Sequence, residues 1–130
     1  MKKELEDQLF EKYPKIFRQK DLPMTQTAMC WRFDGVPDSW YTILDVLCGL
    51  IQCHVDSGKI SQVEATQVKE KFGSARFYTN TCDEVIDAYI EFAEWMTGRI
   101  CSRCGSDQDV SCKKTGWVNY LCANCQKDKK

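Results

Sequence analysis

Apolar residues near the start of the chain fall at Leu5, Leu9, Phe10 and Tyr13, the spacing of one helical face, and Pro14 ends the pattern. This predicts a helix from about Lys2 to Lys12. A looser stretch follows, in which Trp31 and Phe33 alternate with Arg32 and Asp34 as in a short strand. From Pro37 onward the apolar positions Trp40, Ile43, Leu44, Leu47, Leu50 and Ile51 return to helical spacing, with Gly58 as the stop and Asp38 or Ser39 as the cap. This segment reads as the central buried helix. A further helix is expected from the stripe Val85, Ile86, Tyr89, Ile90, Ala93 and Met96, opened by a Thr81–Glu84 capping box and closed by Gly98. Its opposite face, Asp83, Asp87, Glu91 and Glu94, reads as a solvated acidic stripe.

Between the last two helices, "QVKEKFGSARFYTN" alternates on both sides of Gly73-Ser74, a two-residue hairpin signal with glycine first, as a type II′ turn prefers. Counting outward pairs Phe72 with Ala75, Lys71 with Arg76, Glu70 with Phe77 and Lys69 with Tyr78. Opposed residues share a face. One face then holds Val68, Glu70, Phe72, Ala75 and Phe77 and packs inward. The other holds Lys69, Lys71, Arg76 and Tyr78 and looks outward. Three cations beside a tyrosine suit an anion with a flat group, such as a nucleotide. The competing reading is a solvated face whose lysines protect a sheet edge from aggregation.

Composition narrows the class. At 130 residues with 43% hydrophobic and 28% charged content, the chain suits one core with a small appendage, and a folded rather than wholly disordered chain is expected. The opening "MKKELEDQLF" lacks the apolar run of a signal peptide, and Asp45 and Gln52 interrupt the longest apolar stretch, so a cytoplasmic protein is expected. The net charge of −1 gives no general attraction to nucleic acid or anionic membrane. Its distribution is uneven, with 6 bases and 4 acids in residues 1–20, 5 and 12 in residues 21–98, and 7 and 3 in residues 99–130.

Nine cysteines in a reducing compartment argue for metal ligation and buried thiols rather than disulfides. Cys101-x2-Cys104 and Cys122-x2-Cys125, separated by 17 residues, have the spacing of a four-thiolate zinc site. Two residues between cysteines let a tight turn aim both sulfurs at one ion, and Gly105 relaxes the backbone after the first pair. The intervening "VSCKKTGWVNYL" can form the strands that bring the second turn beside the first. Four thiolates close the coordination sphere, so one structural zinc is expected, contributing folding energy to a segment too small to fold alone. Cys112, between the pairs, is the one residue that could substitute for a ligand, and iron in the same geometry stays open. Binding one divalent ion through four thiolates would lower the ribbon's net charge by two.

Other candidate chemistry is sparse. His54 stands beside Cys53, but adjacent helical positions diverge by about 100° and do not converge on one substrate atom. Cys30, Cys48, Cys53 and Cys82 read as small buried groups, and Trp31, Trp40, Trp95 and Trp117 as core or ribbon packing. The chain carries no phosphate loop, nucleophile elbow or HExxH motif. A non-enzymatic protein is expected.

The runs "YPKIF", "MCWRF" with Trp40 following, and "QVKEKFGSARFY", together with the closing cysteine pairs, resemble a family of small proteins encoded by phages and prophages. Relatives usually carry glycine and leucine where this chain has Ser74-Ala75. The resemblance implies a phage origin, a host-cell cytoplasmic setting and a recurring fold, without an activity. By analogy, a small accessory phage protein lacking catalytic residues is often a binder that blocks a host component. Three readings follow. The first is a counter-defence protein that occupies a host immune protein, or sequesters an anionic nucleotide signal on Lys69, Lys71, Arg76 and Tyr78. The second is a zinc-ribbon nucleic-acid binder using Lys113, Lys114 and the terminal lysines. The third is an enzyme built on His54 or a cysteine outside the ribbon, meeting a carboxylate in a cleft. The expected fold is α+β, with a body over 1–98 in which two or three helices cover a small antiparallel sheet. A zinc ribbon over 99–126 is held close by the short connection "TGRI", and a basic tail occupies 127–130.

Overall fold

The computed structural model describes residues 1–114 and 116–127 and has the α+β architecture expected. Helix α1, Lys3–Lys12, buries Leu9 and Phe10 and ends just before Pro14. Helix α2, Tyr41–Asp56, follows a single 3-10 turn at Asp38–Trp40, and helix α3 spans Glu84–Thr97. Between the first two helices lies the short strand β1, Phe33–Asp34. The strands β2, Ala65–Lys71, and β3, Ser74–Thr79, form the hairpin. The sheet runs β1-β2-β3, with β1 parallel to β2 and β2 antiparallel to β3. In the ribbon, β4, Val110–Lys113, pairs antiparallel with β5, Asn119–Cys122, and a short helix α4, Ala123–Lys127, follows.

Leu44, Leu47, Cys48 and Ile51 of α2 and Ile86, Ile90 and Ala93 of α3 pack with Val68, Ala75 and Phe77 of the hairpin in one core. Phe10, Phe17 and Phe33 stack edge and face beneath, with centroids 5.2–5.5 Å apart. Trp40 is the only tryptophan in the core; Trp31, Trp95 and Trp117 are each more than 60% exposed. Trp31 fails to alternate into the core because Met29–Trp31 forms a 3-10 turn rather than strand. Of the cysteines outside the ribbon, Cys48 is buried and Cys30 half-buried, whereas Cys53 and Cys82 are exposed, contrary to the sequence reading.

The helix starts also differ from expectation, for a common reason. Asp38 and Ser39 do not cap α2: Asp38 accepts the Lys2 N–H at 2.6 Å, and Ser39 donates to the Ser102 carbonyl at 2.8 Å. Long-range partners take the two side chains that a local rule assigns to the cap. At α3 the cap is Asp83, which accepts from Ile86 N–H at 3.0 Å, rather than the Thr81–Glu84 box. The supposed acidic stripe therefore divides. Asp87 and Glu91 face solvent, but Asp83 is a cap and Glu94 reaches the edge of the sheet.

Candidate metal centre and hairpin face

Two backbone turns present the four ribbon cysteines. After Cys101 the chain turns through Gly105, whose N–H returns to the Cys101 carbonyl at 2.8 Å with a φ of +83°, a conformation glycine adopts at little cost. The second pair straddles the junction of β5 and α4, where the Cys125 N–H points at the Cys122 sulfur at 3.4 Å. Pairing of Val110 with Cys122 and Cys112 with Tyr120 brings the second turn back beside the first. The result is that the sulfurs of Cys101, Cys104, Cys122 and Cys125 all lie within 4.8 Å of one another, a set that could hold a metal ion. Cys104 and Cys122 are 3.7 Å apart. Four thiolates around a zinc ion at about 2.3 Å would sit about 3.8 Å apart, so the donor set fits such an ion in both type and spread. Cys112 is not in the cluster; it stands on β4 opposite Tyr120.

The electrostatics follow from crowding four thiols. Burial pushes the Cys101 thiol up, but the backbone N–H groups of Cys104, Cys122 and Arg103 outweigh it and bring it down to about 6. Burial and the neighbouring thiols drive Cys125 the other way, up to about 12. Four anionic sulfurs at this separation need a cation among them, which is the role the cluster leaves for a metal.

The ribbon is seated on the hairpin. Tyr120 lies against Gly73 so closely that a Cβ there would fall 3.0 Å from its ring, and the same ring approaches Gly98 at the end of α3. Ser39 of the body bonds Ser102 of the ribbon, and the Ser102 N–H bonds the Tyr120 carbonyl at 2.9 Å.

The hairpin turn is displaced from its predicted place. The closing pair is Lys71–Ser74, followed by Glu70–Ala75, Lys69–Arg76, Val68–Phe77 and Gln67–Tyr78. Phe72 and Gly73, at φ +54° and +88°, form the loop, which matches a type I′ rather than a II′ turn. The turn moves by one position and each partner on β3 by two, so the paired numbers sum to two less and parity is kept. Val68, Ala75 and Phe77 stay buried, while Phe72 leaves the inner face and is exposed in the loop. Lys69, Lys71, Arg76 and Tyr78 keep a common outer face, now with Lys69 directly opposite Arg76. Arg76 donates to Ser74 Oγ at 2.6 Å and to its neighbour's carbonyl, and among the described residues none of the three cations is in an ion pair.

Beside this face, α3, the start of β3 and the ribbon border an open groove of about 920 Å³. Its body wall carries Arg76, Glu94, Trp95 and Arg99, and its ribbon wall Asp107 and the run from Asp109 to Cys112, with Tyr120. The sequence reading missed it, since Trp95 and Arg99 meet Arg76 only through the packing of α3 on β3. A smaller concavity of about 400 Å³ lies near Phe10, Phe17 and Arg32. His54 does meet a carboxylate, with Nε2 3.5 Å from Asp83, but that carboxylate is engaged as the α3 cap and the pair lies outside both concavities. Lys129 and Lys130, in the basic tail 127–130, lie outside the described residues. No helix among the described residues is long and apolar enough to cross a membrane. Comparison with family models, with curated proteins and with solved structures returns no match.

Proposed function

We propose that this chain is a non-enzymatic zinc-binding protein of phage type, a counter-defence binder whose contact surface is the outer hairpin face. The single observation that carries the reading is the cross-strand pair Lys69–Arg76. Like charges placed directly opposite on a sheet destabilise it, and no carboxylate lies within ion-pair reach of either among the described residues. An anion docked across the pair relieves that repulsion, with Lys71 on the flank and the half-exposed Tyr78 ring as a stacking surface. An anionic nucleotide signal meets these requirements, and so does an acidic patch on a host immune protein. The thiolate cluster supports a structural rather than reactive metal, because four protein ligands leave no position for substrate.

Two experiments test the reading. Metal analysis should find one zinc per chain, and cobalt substitution should give thiolate charge-transfer absorption; iron, or no metal, overturns the zinc assignment. Calorimetric titration with short cyclic and linear oligonucleotides should show binding that falls at least tenfold in Lys69→Ala/Lys71→Ala. Unchanged affinity would assign the face to solvent, and no binding at all would leave an acidic host protein as its occupant. A steep loss of affinity with salt for long DNA or RNA would instead support the ribbon as a nucleic-acid binder.

A further inference from the structure

Strand edges decide where another chain can add to this molecule, and the fold treats its edges differently. At β3 the outward N–H groups of Ala75 and Phe77 are taken by Thr97 Oγ1 and Glu94 Oε2 of α3, each at 2.9 Å. At β5 the outward carbonyl of Tyr120 receives the Ser102 N–H. That bond also fixes the direction of β4. Because the main chain of Tyr120 points away from β4, Tyr120–Cys112 is a non-hydrogen-bonded pair, and so is Cys122–Val110 two residues along. The N–H and C=O groups of Val110 and Cys112 therefore point out of the opposite edge, where they have no hydrogen-bond partner among the described residues.

That edge borders the groove on its ribbon side. Val110 and Cys112 on one side of β4 and Ser111 on the other all line it, so the groove reaches round to the edge of the strand, with Asp109 just before β4 and Tyr120 of β5 beside it. The facing body wall supplies Arg76 and Arg99, neither in an ion pair among the described residues, and the exposed ring of Trp95. Of the carboxylates that also line the groove, Glu94 accepts the Phe77 N–H and Asp107 the Gln108 side-chain amide, and Asp109 stands at the mouth of β4.

We infer that the groove receives an extended peptide segment of a partner protein, added as a third strand to the free edge of β4. Main-chain bonds to Val110 and Cys112 hold the peptide. An aromatic or aliphatic side chain rests against Trp95 and Tyr120, and an acidic side chain meets Arg76 and Arg99. The inference shares with the proposed function the view of the chain as a binder and the side chain of Arg76, but Lys69 and Lys71 lie outside the groove and Arg99 lies outside the hairpin face, so variants at those positions let the two fail separately.

The test is selection of a displayed library of random twelve-residue peptides against the zinc-loaded full chain. Enriched peptides should carry an acidic residue near an aromatic or aliphatic one, and should slow amide exchange at Val110 and Cys112. Cys112→Pro removes an outward N–H and leaves the β4–β5 bonds of Ser111 and Lys113 intact, so it should weaken the selected peptide at least tenfold while keeping the metal. Arg99→Ala should weaken acidic peptides selectively, and this arm stands even if the proline variant misfolds. Lys69→Ala/Lys71→Ala should bind the peptide as the parent does. The inference is overturned by a selection that enriches nothing, or by peptides that leave Val110 and Cys112 exchange unchanged. It is equally overturned if the free protein sediments as a dimer with those amides already protected, or if a single-stranded oligonucleotide protects them and peptides do not.

Discussion

Thr97 shows how one hydroxyl can hold an element in place. It is fully buried, donates to the Glu94 carbonyl at 2.6 Å and accepts the Ala75 N–H. Thr97→Val keeps the shape but leaves a buried donor without a partner, which should cost about 1–3 kcal/mol, measurable by denaturant titration. Glu94, its companion on the β3 edge, is pushed above the usual carboxylate range by burial, against the opposing pull of the Phe77 N–H. Glu64 shows the reverse: hydrogen bonds from Arg18, then Gln19, hold it below its ordinary value of 4.5. A depressed carboxylate stabilises the fold above its unfolded pKa and loses that contribution as pH falls through the folded one. The stability difference between the parent and Glu64→Gln should therefore be constant near neutrality and vanish as pH drops below about 4.5. It should be small, because the Arg18 side chain is more than half exposed and solvent screens the pair. Equal acid sensitivity of both proteins would rule this pair out as a source of acid lability.

At the scale of elements, hydrophobic period located the three main helices and the hairpin, because each buries one face and the period records that face. Turn and cap chemistry was less legible. Phenylalanine at a left-handed position is an unusual choice, so a turn rule that expects asparagine or glycine moved the loop one residue onward. What holds Phe72 there lies elsewhere in the molecule: the Glu70 carboxylate accepts the Gly73 N–H at 2.8 Å, and Tyr120 covers Gly73. Phe72→Asn should stabilise the protein by about 0.5–1 kcal/mol, since asparagine tolerates the same backbone and the lost ring is solvent-exposed. A fall in melting temperature would mean that the ring contributes a contact outweighing its strain. Gly73→Ala should do the opposite, because its Cβ would strike the Tyr120 ring, and its cost should exceed that of a glycine replacement elsewhere in a turn.

Across the whole molecule, the ribbon and body form a continuous structure through Tyr120, Gly73, Gly98 and the Ser39–Ser102 bond. The four sulfurs hold the turns from which those contacts are made, so loss of the metal should be felt beyond the ribbon. Stripping the ion with a strong chelator should speed amide exchange at Ser102 and Gly73 while far-UV circular dichroism keeps most of its helical signal, since α1, α2 and α3 have a separate core. Unchanged exchange at both amides would show that packing alone seats the ribbon.

The sequence by itself determined the three main helices and the hairpin, the separation of a buried from a cationic hairpin face, and the four clustered cysteines. Each of these is written in short spacings that survive without knowledge of the fold. Parity on a strand is one such spacing, which is why the hairpin faces came out correctly even though the turn did not. Only the tertiary structure decided the caps, the opposition of Lys69 to Arg76, the seat of Tyr120 on Gly73, and the groove beside the open edge of β4. Those features depend on which distant groups meet. A hydrogen-bonding side chain or a strand edge serves whichever partner the packing brings within reach, and that choice leaves no local pattern in the chain.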